Sequence, residues 1–443
     1  MTVAPLTLGS GAGFAGDRYE PAVELAMDPR IDVLVFECLA ERTIALAQQS
    51  RDREAGSGFD SRILRRFRDT LSPLIDRGGR VITNAGAANP RAAGVATLDL
   101  LRQLDRSAAV AVVTGDDVRD VLDPCTVTIE TGETVAELGD RVISANAYIG
   151  AEGIITALDR GADVVITGRV GDAALFSAPI LHHFAQDLTP SEFLAESILV
   201  GHMLECAGQL TGGYFADGAS KIVPGLAHLG FPFATVQASG AAQYGKIDGT
   251  GGLLNRQTAL EQLYYEIADP RRYITPDLIV DFSAVTVDEP GPETVRLSGA
   301  RANGIPDQLK VSIGVRDGHM AVAEISYSGY GCVARAELAG KIIAERWVDI
   351  HHQPIARLRI DRVGLNSTRP WHPAGHAEEV RVRFSYIGFD RSVAVALCED
   401  VEALYTNGPA GGGGATSAIR ETVGIVSALI PRDTVSIDVE LLS

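Results

Sequence analysis

The stretch "ADVVITGRVGD" (residues 162–172) joins a β-branched apolar run to a polar end, which is typical of a buried strand that stops at a functional edge. Three earlier stretches have the same form: "IDVLVFE" (31–37), "RVITNAG" (80–86) and "AVAVVTGDD" (109–117). Sequence with helical periodicity separates these runs. The alternation predicts an α/β fold with a mostly parallel, doubly wound sheet that is covered by helices on both faces.

Polar or charged side chains follow each predicted strand: Glu37, Asn84, Asp116, Arg169 and Asp172. A single residue of this kind is more typical of a helix cap. The carboxyl ends of parallel strands share one edge of a sheet, however, and ligands bind at that edge. The repetition on successive strands therefore predicts a site, with Arg169 and Asp172 as catalytic candidates and Asn84 and Asp116 as substrate-binding candidates.

The pattern changes from about residue 290. Three consecutive strands are predicted at 293–300, 308–316 and 320–331, followed by helices at 333–347 and 391–404 and a last strand at 434–442. A Pro- and Gly-rich segment at 289–292 precedes them. We therefore expect an α/β domain over residues 1–290 and a smaller α+β domain over residues 291–443.

Composition and charge narrow the class of function. The chain has 443 residues, 46% hydrophobic residues and a formal net charge of -18, which argues against nucleic acid or an anionic membrane as a partner. Its 5 cysteines never form a C-x-x-C pair, which fits reduced thiols in a cytosol and gives no zinc signature. Without a signal-like N-terminus or a long apolar segment, we expect a cytoplasmic protein, and as a large cytosolic enzyme a homo-oligomer.

The densest group of unusual residues is "GHMLECAGQLTGGYFADGASK" (201–221). His202, Glu205, Cys206 and Gln209 fall on one face of a helix. They form either a structural polar network or an acid/base pair, in which Glu205 or His202 lies near a substrate. The HxxE spacing also suits two ligands of a metal ion, but no third ligand is identified, so no metal site is predicted. The residues that follow are expected to bind the substrate: Thr211, Gly212 and Gly213.

Glycine dominates "LYTNGPAGGGGATSAIRE" (404–421). Gly414 and Ala415 stand where a P-loop requires Lys and Ser or Thr, so the run is not a triphosphate-binding loop. The sequence after Ala415 predicts a helix that begins near Ala418, whose N-terminus and preceding N–H groups would bind an anion. The alternative is a flexible hinge. The substrate-binding candidates in this segment are Asn407, Gly411, Gly412, Gly413 and Gly414.

Two further glycine motifs are weaker. "KIDGTGG" (246–252) places Lys246 before Gly251 and Gly252, where it would fix an anion or remain a solvated surface lysine. "GSGAGFAGDR" (9–18) satisfies G-x-G-x-x-G, and Glu37 follows at the distance expected of a dinucleotide fold. Residues 17–21 make a poor start for the helix that would receive a pyrophosphate, so nicotinamide binding stays open as an alternative.

A series of phrases resembles one family along nearly the whole chain: "GSGAGFAGDR", "TNAGAANP", "ITGRVGDAAL", "ECAGQLTGGYFAD", "YEIADPRRYITPD" and "LYTNGPAGGGG". They resemble the acyclic terpene utilisation (AtuA-like) proteins, which were formerly a domain of unknown function. The resemblance implies bacterial catabolism of citronellol and geraniol, with branched carboxylate or acyl-CoA substrates and acyl-CoA-metabolising enzymes as partners. Coenzyme A would then enter as part of the substrate. The family supplies no catalytic residue set to carry over.

These observations predict a cytoplasmic catabolic enzyme that uses general acid/base chemistry on a branched carboxylic acid or acyl-CoA, most plausibly a hydratase or lyase. Glu205 or Asp172 removes a proton, Arg169 or Lys246 neutralises negative charge, and glycine N–H groups hold the charge that develops. One alternative is a non-catalytic subunit that binds acyl-CoA or a partner enzyme. The other is a nicotinamide-dependent oxidoreductase.

Overall fold

A computed structural model describes residues 3–368 and 377–442 of the chain. Internal contacts divide the chain into two compact units, one formed by residues 1–314 and 425–443 and the other by residues 315–424. The predicted domains, 1–290 and 291–443, differ from these units in two places, because residues 291–314 and the chain after residue 424 belong to the first unit. Within the described residues, no helix is long and apolar enough to cross a membrane.

The helices of the described residues are α1 (Glu20–Met27), α2 (Glu41–Arg53), α3 (Arg62–Ile75), α4 (Pro90–Gln103), α5 (Val135–Leu138), α6 (Glu152–Asp159), α7 (Ala174–His183), α8 (Glu192–Leu204), α9 (Arg256–Leu263), α10 (Cys332–Asp349) and α11 (Arg391–Asn407). The strands are β1 (Leu6–Ala12), β2 (Val33–Phe36), β3 (Arg80–Thr83), β4 (Val110–Thr114), β5 (Val142–Ala147), β6 (Val164–Thr167), β7 (Pro232–Val236), β8 (Ala242–Lys246), β9 (Tyr273–Ile274), β10 (Ile279–Asp281), β11 (Thr286–Gly291), β12 (Thr294–Ser298), β13 (Arg301–Ala302), β14 (Gln308–Ser328), β15 (Leu358–Val363), β16 (Glu379–Gly388), β17 (Gly413–Pro431) and β18 (Asp438–Leu442).

The first unit is built on a ten-stranded sheet of order β11-β12-β8-β7-β1-β2-β3-β6-β4-β18. The five strands β1, β2, β3, β6 and β4 run parallel, and the strands on either side of them pair in antiparallel fashion. The prediction of a mostly parallel sheet is therefore wrong, because the sheet is mixed. Two of the antiparallel strands, β12 and β18, come from sequence that was expected to form the C-terminal domain.

Both faces of this sheet are buried, as expected for an α/β fold. Along β2, Val33 and Val35 point into one apolar cluster, while Leu34 and Phe36 point into the other. Helices α6, α7 and α8 supply the first cluster, and helices α1, α3 and α4 supply the second. A short strand buried on both faces needs a continuous apolar run, which explains why these strands lack alternation.

The segment at 289–292 lies in a hairpin. Residues 289–291 belong to β11, and Gly291 pairs with Thr294 of β12 across the turn. Proline is tolerated here because β11 is the outermost strand of the sheet and, among the described residues, one side of it has no strand neighbour. The Pro- and Gly-rich segment at 289–292, whose composition is typical of a linker, therefore forms part of a hairpin at the edge of the large sheet.

The second unit is an antiparallel sheet whose order is β15-β16-β14-β17, with α10 and α11 packed on one face. Alternate residues of β16, from Val380 to Tyr386, are buried under these helices. The two strands predicted at 308–316 and 320–331 form one long strand, β14. The helix predicted to begin near Ala418 is wrong, because residues 413–431 form β17. Its β-branched residues between Thr416 and Val426 suit a strand.

Candidate functional site

A cavity of about 640 Å³ opens at the carboxyl edge of the parallel strands. Its wall includes residues that follow β1, β2 and β6, residues at the end of α8, and the loop that leads into β10. Four residues that the sequence marks as catalytic candidates line it together: Arg169, Asp172, His202 and Glu205. The edge rule for parallel strands explains Arg169 and Asp172, and the end of α8 brings the other two to the same space.

Arg169 forms the charged floor of the cavity. Only 2% of its side chain is exposed, and its Nη2 donates to Asp172 Oδ1 at 2.9 Å. Its Nη1 donates to the Leu39 carbonyl, and its guanidinium lies 4.1 Å from the centre of the Tyr148 ring. Burial acts to lower the pKa of Arg169, but the neighbouring acids, Asp172 above all, raise it, so the guanidinium stays charged.

Two carboxyl groups beside Arg169 have a raised pKa and so hold their protons to a higher pH than exposed carboxyl groups do. Burial raises the pKa of Asp172 to about 6, and the nearby Glu205 also raises it, against the opposing effect of Arg169. Burial raises the pKa of Glu37 well above its ordinary value, with Asp172 as the next cause. Acid groups whose pKa lies near neutrality are suited to proton transfer.

Asn84 and Asp116 lie behind this wall and do not line the cavity. Asn84 donates to Glu37 Oε1 at 2.9 Å and accepts the Cys38 N–H at 2.6 Å. Asp116 Oδ2 accepts the backbone N–H of Arg169 at 2.8 Å, and burial raises the pKa of Asp116 to about 6. These hydrogen bonds hold Glu37, Cys38 and the Arg169 backbone in place. The sequence had predicted that Asn84 and Asp116 contact the substrate.

His202 and Glu205 share a proton. His202 is buried, with Nε2 at 3.1 Å from the Leu263 carbonyl oxygen and Nδ1 at 3.0 Å from Glu205 Oε1. A carbonyl only accepts, so the contact with Leu263 assigns a hydrogen to Nε2. The Nδ1 contact then needs a second proton, which belongs either to the imidazolium or to the carboxyl group. Glu205 thus lines the cavity with a proton partner directly behind it.

Three residues that the sequence reasoning missed form the rim. The Tyr148 hydroxyl donates to Glu41 Oε1 at 2.5 Å, and Lys310 Nζ lies 3.2 Å from the same oxygen. Burial acts to raise the pKa of Glu41, but the Tyr148 hydroxyl, Arg169 and Lys310 outweigh it and lower that pKa to about 2. Lys310 is thus an exposed cation on a rim whose glutamate stays ionised.

Asp277, also missed, closes the cavity beside helix α6. Its carboxylate accepts the Ala151 N–H at 3.0 Å, and burial raises its pKa to about 6. Gly150 allows this approach, since a Cβ there would lie 2.0 Å from Asp277 Oδ1. No motif in the sequence marks these four residues, because Tyr148 and Asp277 lie in loops, Glu41 begins α2 and Lys310 lies in β14.

The family model for acyclic terpene utilisation family protein AtuA matches residues 6–441 of the chain. The chain belongs to the acyclic terpene utilisation family. No curated protein sequence and no solved structure matches it.

In this AtuA-family chain, the glycines after α8 serve packing. The Thr211 hydroxyl donates to the Gly230 carbonyl at 2.7 Å, and a Cβ at Gly252 would lie 2.8 Å from the Thr211 carbonyl oxygen. Gly212 has a φ of 96°, which glycine adopts without strain. Of the predicted substrate-binding group Thr211, Gly212, Gly213, Lys246, Gly251 and Gly252, none lines the acidic cavity, and Gly213 lines a second cavity beside it.

Lys246 does not offer its charge to an anion at this site. Its Nζ donates to the Thr250 carbonyl at 2.9 Å and pairs with Glu293 at 2.9 Å. Gly251 is pressed against a neighbouring loop, because a Cβ on it would lie 2.0 Å from the Gly225 carbonyl oxygen. In the loop where an anion site was expected, Lys246 and Gly251 both contact other parts of the protein.

The C-terminal glycine run lies in the second unit. Gly411 and Gly414 have φ values of 72° and 62°, and the chain continues into β17. The expected anion site required a helix N-terminus after the glycines, so its structural basis is lost for Gly411, Gly412, Gly413 and Gly414. Asn407 ends α11, where its side-chain amide donates to the Ala403 carbonyl at 3.2 Å.

The G-x-G-x-x-G glycines of the AtuA-family chain lie within the end of β1 and just after it, and they are packed against protein atoms. A Cβ at Gly11 would lie 2.5 Å from the Phe36 ring, and one at Gly13 would lie 2.5 Å from the Cys206 carbonyl carbon.

Within the described residues, no group of three or more His, Cys, Asp or Glu side chains is placed to hold a metal ion.

Proposed function

We propose that this member of the acyclic terpene utilisation family is a catabolic enzyme that performs general acid/base chemistry on a branched carboxylic acid or acyl-CoA, of the hydratase or lyase type. The observation that carries the proposal is the Glu205–His202 pair, joined at 3.0 Å, which lines the same cavity as Asp172. A base and an acid that face one space are what addition or removal of water next to a carbonyl requires.

In the dehydration direction, Glu205 takes the proton from the carbon next to the acyl carbonyl. Asp172 gives its proton to the hydroxyl group on the neighbouring carbon, which leaves as water while the carbon–carbon double bond forms. Glu205 gains one proton and Asp172 loses one, so exchange with water restores both. Hydration is the same sequence in reverse. His202 acts through Glu205 as a positioning residue, since its Nδ1 holds that carboxyl group in place.

The charge of the cavity favours a thioester over a free carboxylate at the reacting end. Glu37, Asp172 and Glu205 face the space, and Arg169 is 2% exposed and already donates to Asp172. Lys310, the cation of the rim, lies 3.2 Å from Glu41 Oε1. A free carboxylate bound here would have to draw Arg169 away from Asp172 to gain a cation, and any of the three acids that is ionised would repel it. The neutral carbonyl of a thioester carries no such cost, and the charge on its enolate develops beside Arg169.

Deuterium exchange tests the first proton transfer by itself, whatever step follows it. A panel of branched acyl-CoA thioesters and the corresponding free acids is incubated in D₂O, and mass spectrometry records uptake at the carbon next to the carbonyl. We expect uptake with thioesters, a loss of about 10²-fold or more in Glu205→Gln, and no change in Glu192→Gln. Glu192 is an exposed residue on the same helix and does not line the cavity.

Two results would count against the proposal. Full exchange in the Glu205→Gln variant, with circular dichroism showing native folding, would remove Glu205 as the base. Tight binding of thioesters with neither exchange nor product would favour the alternative of a non-catalytic acyl-CoA-binding subunit. A matched Asp172→Asn variant separates the two halves of the reaction, since it should retain exchange but lose dehydration.

A further inference from the structure

A second cavity of about 470 Å³ adjoins the acidic one, and no step of the proposed reaction uses it. The two cavities share Gly13, Phe14, Cys206 and Tyr265. Gly13 lies so close to the Cys206 backbone that a Cβ would meet it at 2.5 Å, so backbone contact holds this common wall. A ligand in the second cavity is therefore a neighbour of any ligand in the first.

The rim of the second cavity carries two exposed aromatic rings. Phe14 is 59% exposed and Tyr214 is 81% exposed. Tyr214 has a φ of 65°, a left-handed conformation that is costly for a bulky residue, and its ring meets Tyr265 edge to face at 6.2 Å. Tyr214, held by a strained backbone, and the exposed Phe14 thus present two aromatic rings beside a cavity, where they could stack a ligand.

Polar groups of the same cavity add a preference for hydrogen-bond donors and for negative charge. Within the described part of the chain, the amide oxygen of Gln209 is buried and has no hydrogen-bond partner. Such an oxygen is costly unless a donor reaches it. Arg18, the cation of this wall, is exposed and uses Nη1 for the Leu226 and Ala227 carbonyls at 2.6 Å and 3.2 Å. Asp17 also lines this cavity, but burial raises its pKa and its Oδ2 accepts the Gly13 N–H at 2.7 Å.

We propose that the second cavity binds the adenine ring of a nucleotide, with Phe14 and Tyr214 against the ring, Gln209 facing its amino group and Arg18 near its phosphate. A heteroaromatic ring that carries an amino donor and a phosphate matches all three features. This inference rests on the proposed function in one respect: the nucleotide is that of the coenzyme A thioester whose acyl end occupies the acidic cavity. A nicotinamide dinucleotide carries the same adenine ring, so the two sources must be separated experimentally.

Titration calorimetry on the full chain uses three probes: adenosine 3′,5′-bisphosphate, NAD⁺ and a branched ten-carbon carboxylic acid. We expect the bisphosphate to bind, and Phe14→Ala and Tyr214→Ala each to weaken it about tenfold, as loss of one stacking surface does. Tyr264→Ala is the matched control, because Tyr264 is 59% exposed and lines neither cavity. Inosine 3′,5′-bisphosphate lacks the amino group and should bind more weakly, and Gln209→Leu should abolish that difference.

The outcomes are distinct. Absence of nucleotide binding overturns the inference, and so does equal weakening by Tyr264→Ala. Binding of the ten-carbon acid alone, with loss in Phe14→Ala, would assign the cavity to a hydrocarbon chain and also overturn it. Tighter binding of NAD⁺ with the same variant pattern would keep the adenine site but overturn its link to the thioester. If no nucleotide binds while Glu205-dependent exchange persists, the proposed function stands without this inference.

Discussion

Replacement of Asp277 by Asn should stabilise the protein at alkaline pH and have little effect at acidic pH. Asp277 is 6% exposed, and its carboxylate accepts the Ala151 N–H at 3.0 Å. An Asn side chain keeps an oxygen for that hydrogen bond but cannot ionise. The substitution therefore removes the cost of a buried charge while it retains the contact.

The magnitude follows from the shift in the pKa of Asp277, which burial raises from 3.8 to about 6. Because the folded-state pKa lies above the unfolded value, the folded carboxyl group favours its proton. Its contribution to stability is full below pH 3.8 and is lost as pH rises through about 6. A shift of this size corresponds to about 3 kcal/mol between the two limits. The free energy of unfolding of Asp277→Asn should exceed that of the wild type by about 1–3 kcal/mol more at pH 8 than at pH 4.

Urea denaturation followed by circular dichroism at pH 4 and pH 8 measures this difference. The two conditions lie on either side of the isoelectric point of about 4.9, so the chain carries net charge in both. Asp281→Asn is the control of opposite sign, since hydrogen bonds from Ser283 lower the pKa of Asp281. That substitution should cost stability by a similar amount at pH 8 and pH 4, because the contribution of a lowered carboxyl pKa is lost only as pH falls below 3.8. An Asp277→Asn effect that is equal at both pH values would refute the buried-charge reasoning.

Three further predictions address the site and the glycine run. If Asp172 is the general acid, dehydration should decline as pH rises through about 6, and a kcat/KM profile that stays level to high pH would place the acid elsewhere. His202→Asn should lower kcat about 10²-fold with KM nearly unchanged and shift the pH profile, because Glu205 loses its proton partner. Gly414→Ala should cost about 1 kcal/mol, because Gly414 has a φ of 62°, whereas Gly413→Ala should be neutral; equal melting temperatures of the two variants would contradict this.

The part of the site that sequence reasoning predicts is the part that local rules fix. A strand end determines which edge of a parallel sheet a residue reaches, so Arg169 and Asp172 could be placed from the pattern of one strand. His202 and Glu205 are three residues apart, so a helix alone brings them together. The rim depends instead on chain folding, because Tyr148 and Glu41 meet across 107 residues of sequence. No local pattern encodes such a contact.

The mixed sheet shows that prediction of the fold from sequence has the same limit. The parallel centre could be predicted because each βαβ unit is contiguous in sequence. Strand β18 adds to β4 from more than 300 residues away, with Val439 opposite Val113. Its alternating pattern fits an edge of the large sheet as well as a strand of a separate domain. The two possibilities differ only in the strand with which β18 pairs. That pairing depends on which edge of a sheet is free of other strands, and the sequence of β18 does not contain this information.

The glycine run shows how a chemical argument can fail at one structural step. Counting residues argues against a P-loop, since Gly414 stands where the lysine is required. The anion site then depended on a helix after Ala415, and β17 replaces that helix. Glycine N–H groups bind anions strongly when a helix N-terminus orients them together, whereas the N–H groups of a strand alternate in direction. Acid/base chemistry in this fold is therefore better sought at the carboxyl edge of the first unit, where Arg169 supplies a fixed positive charge.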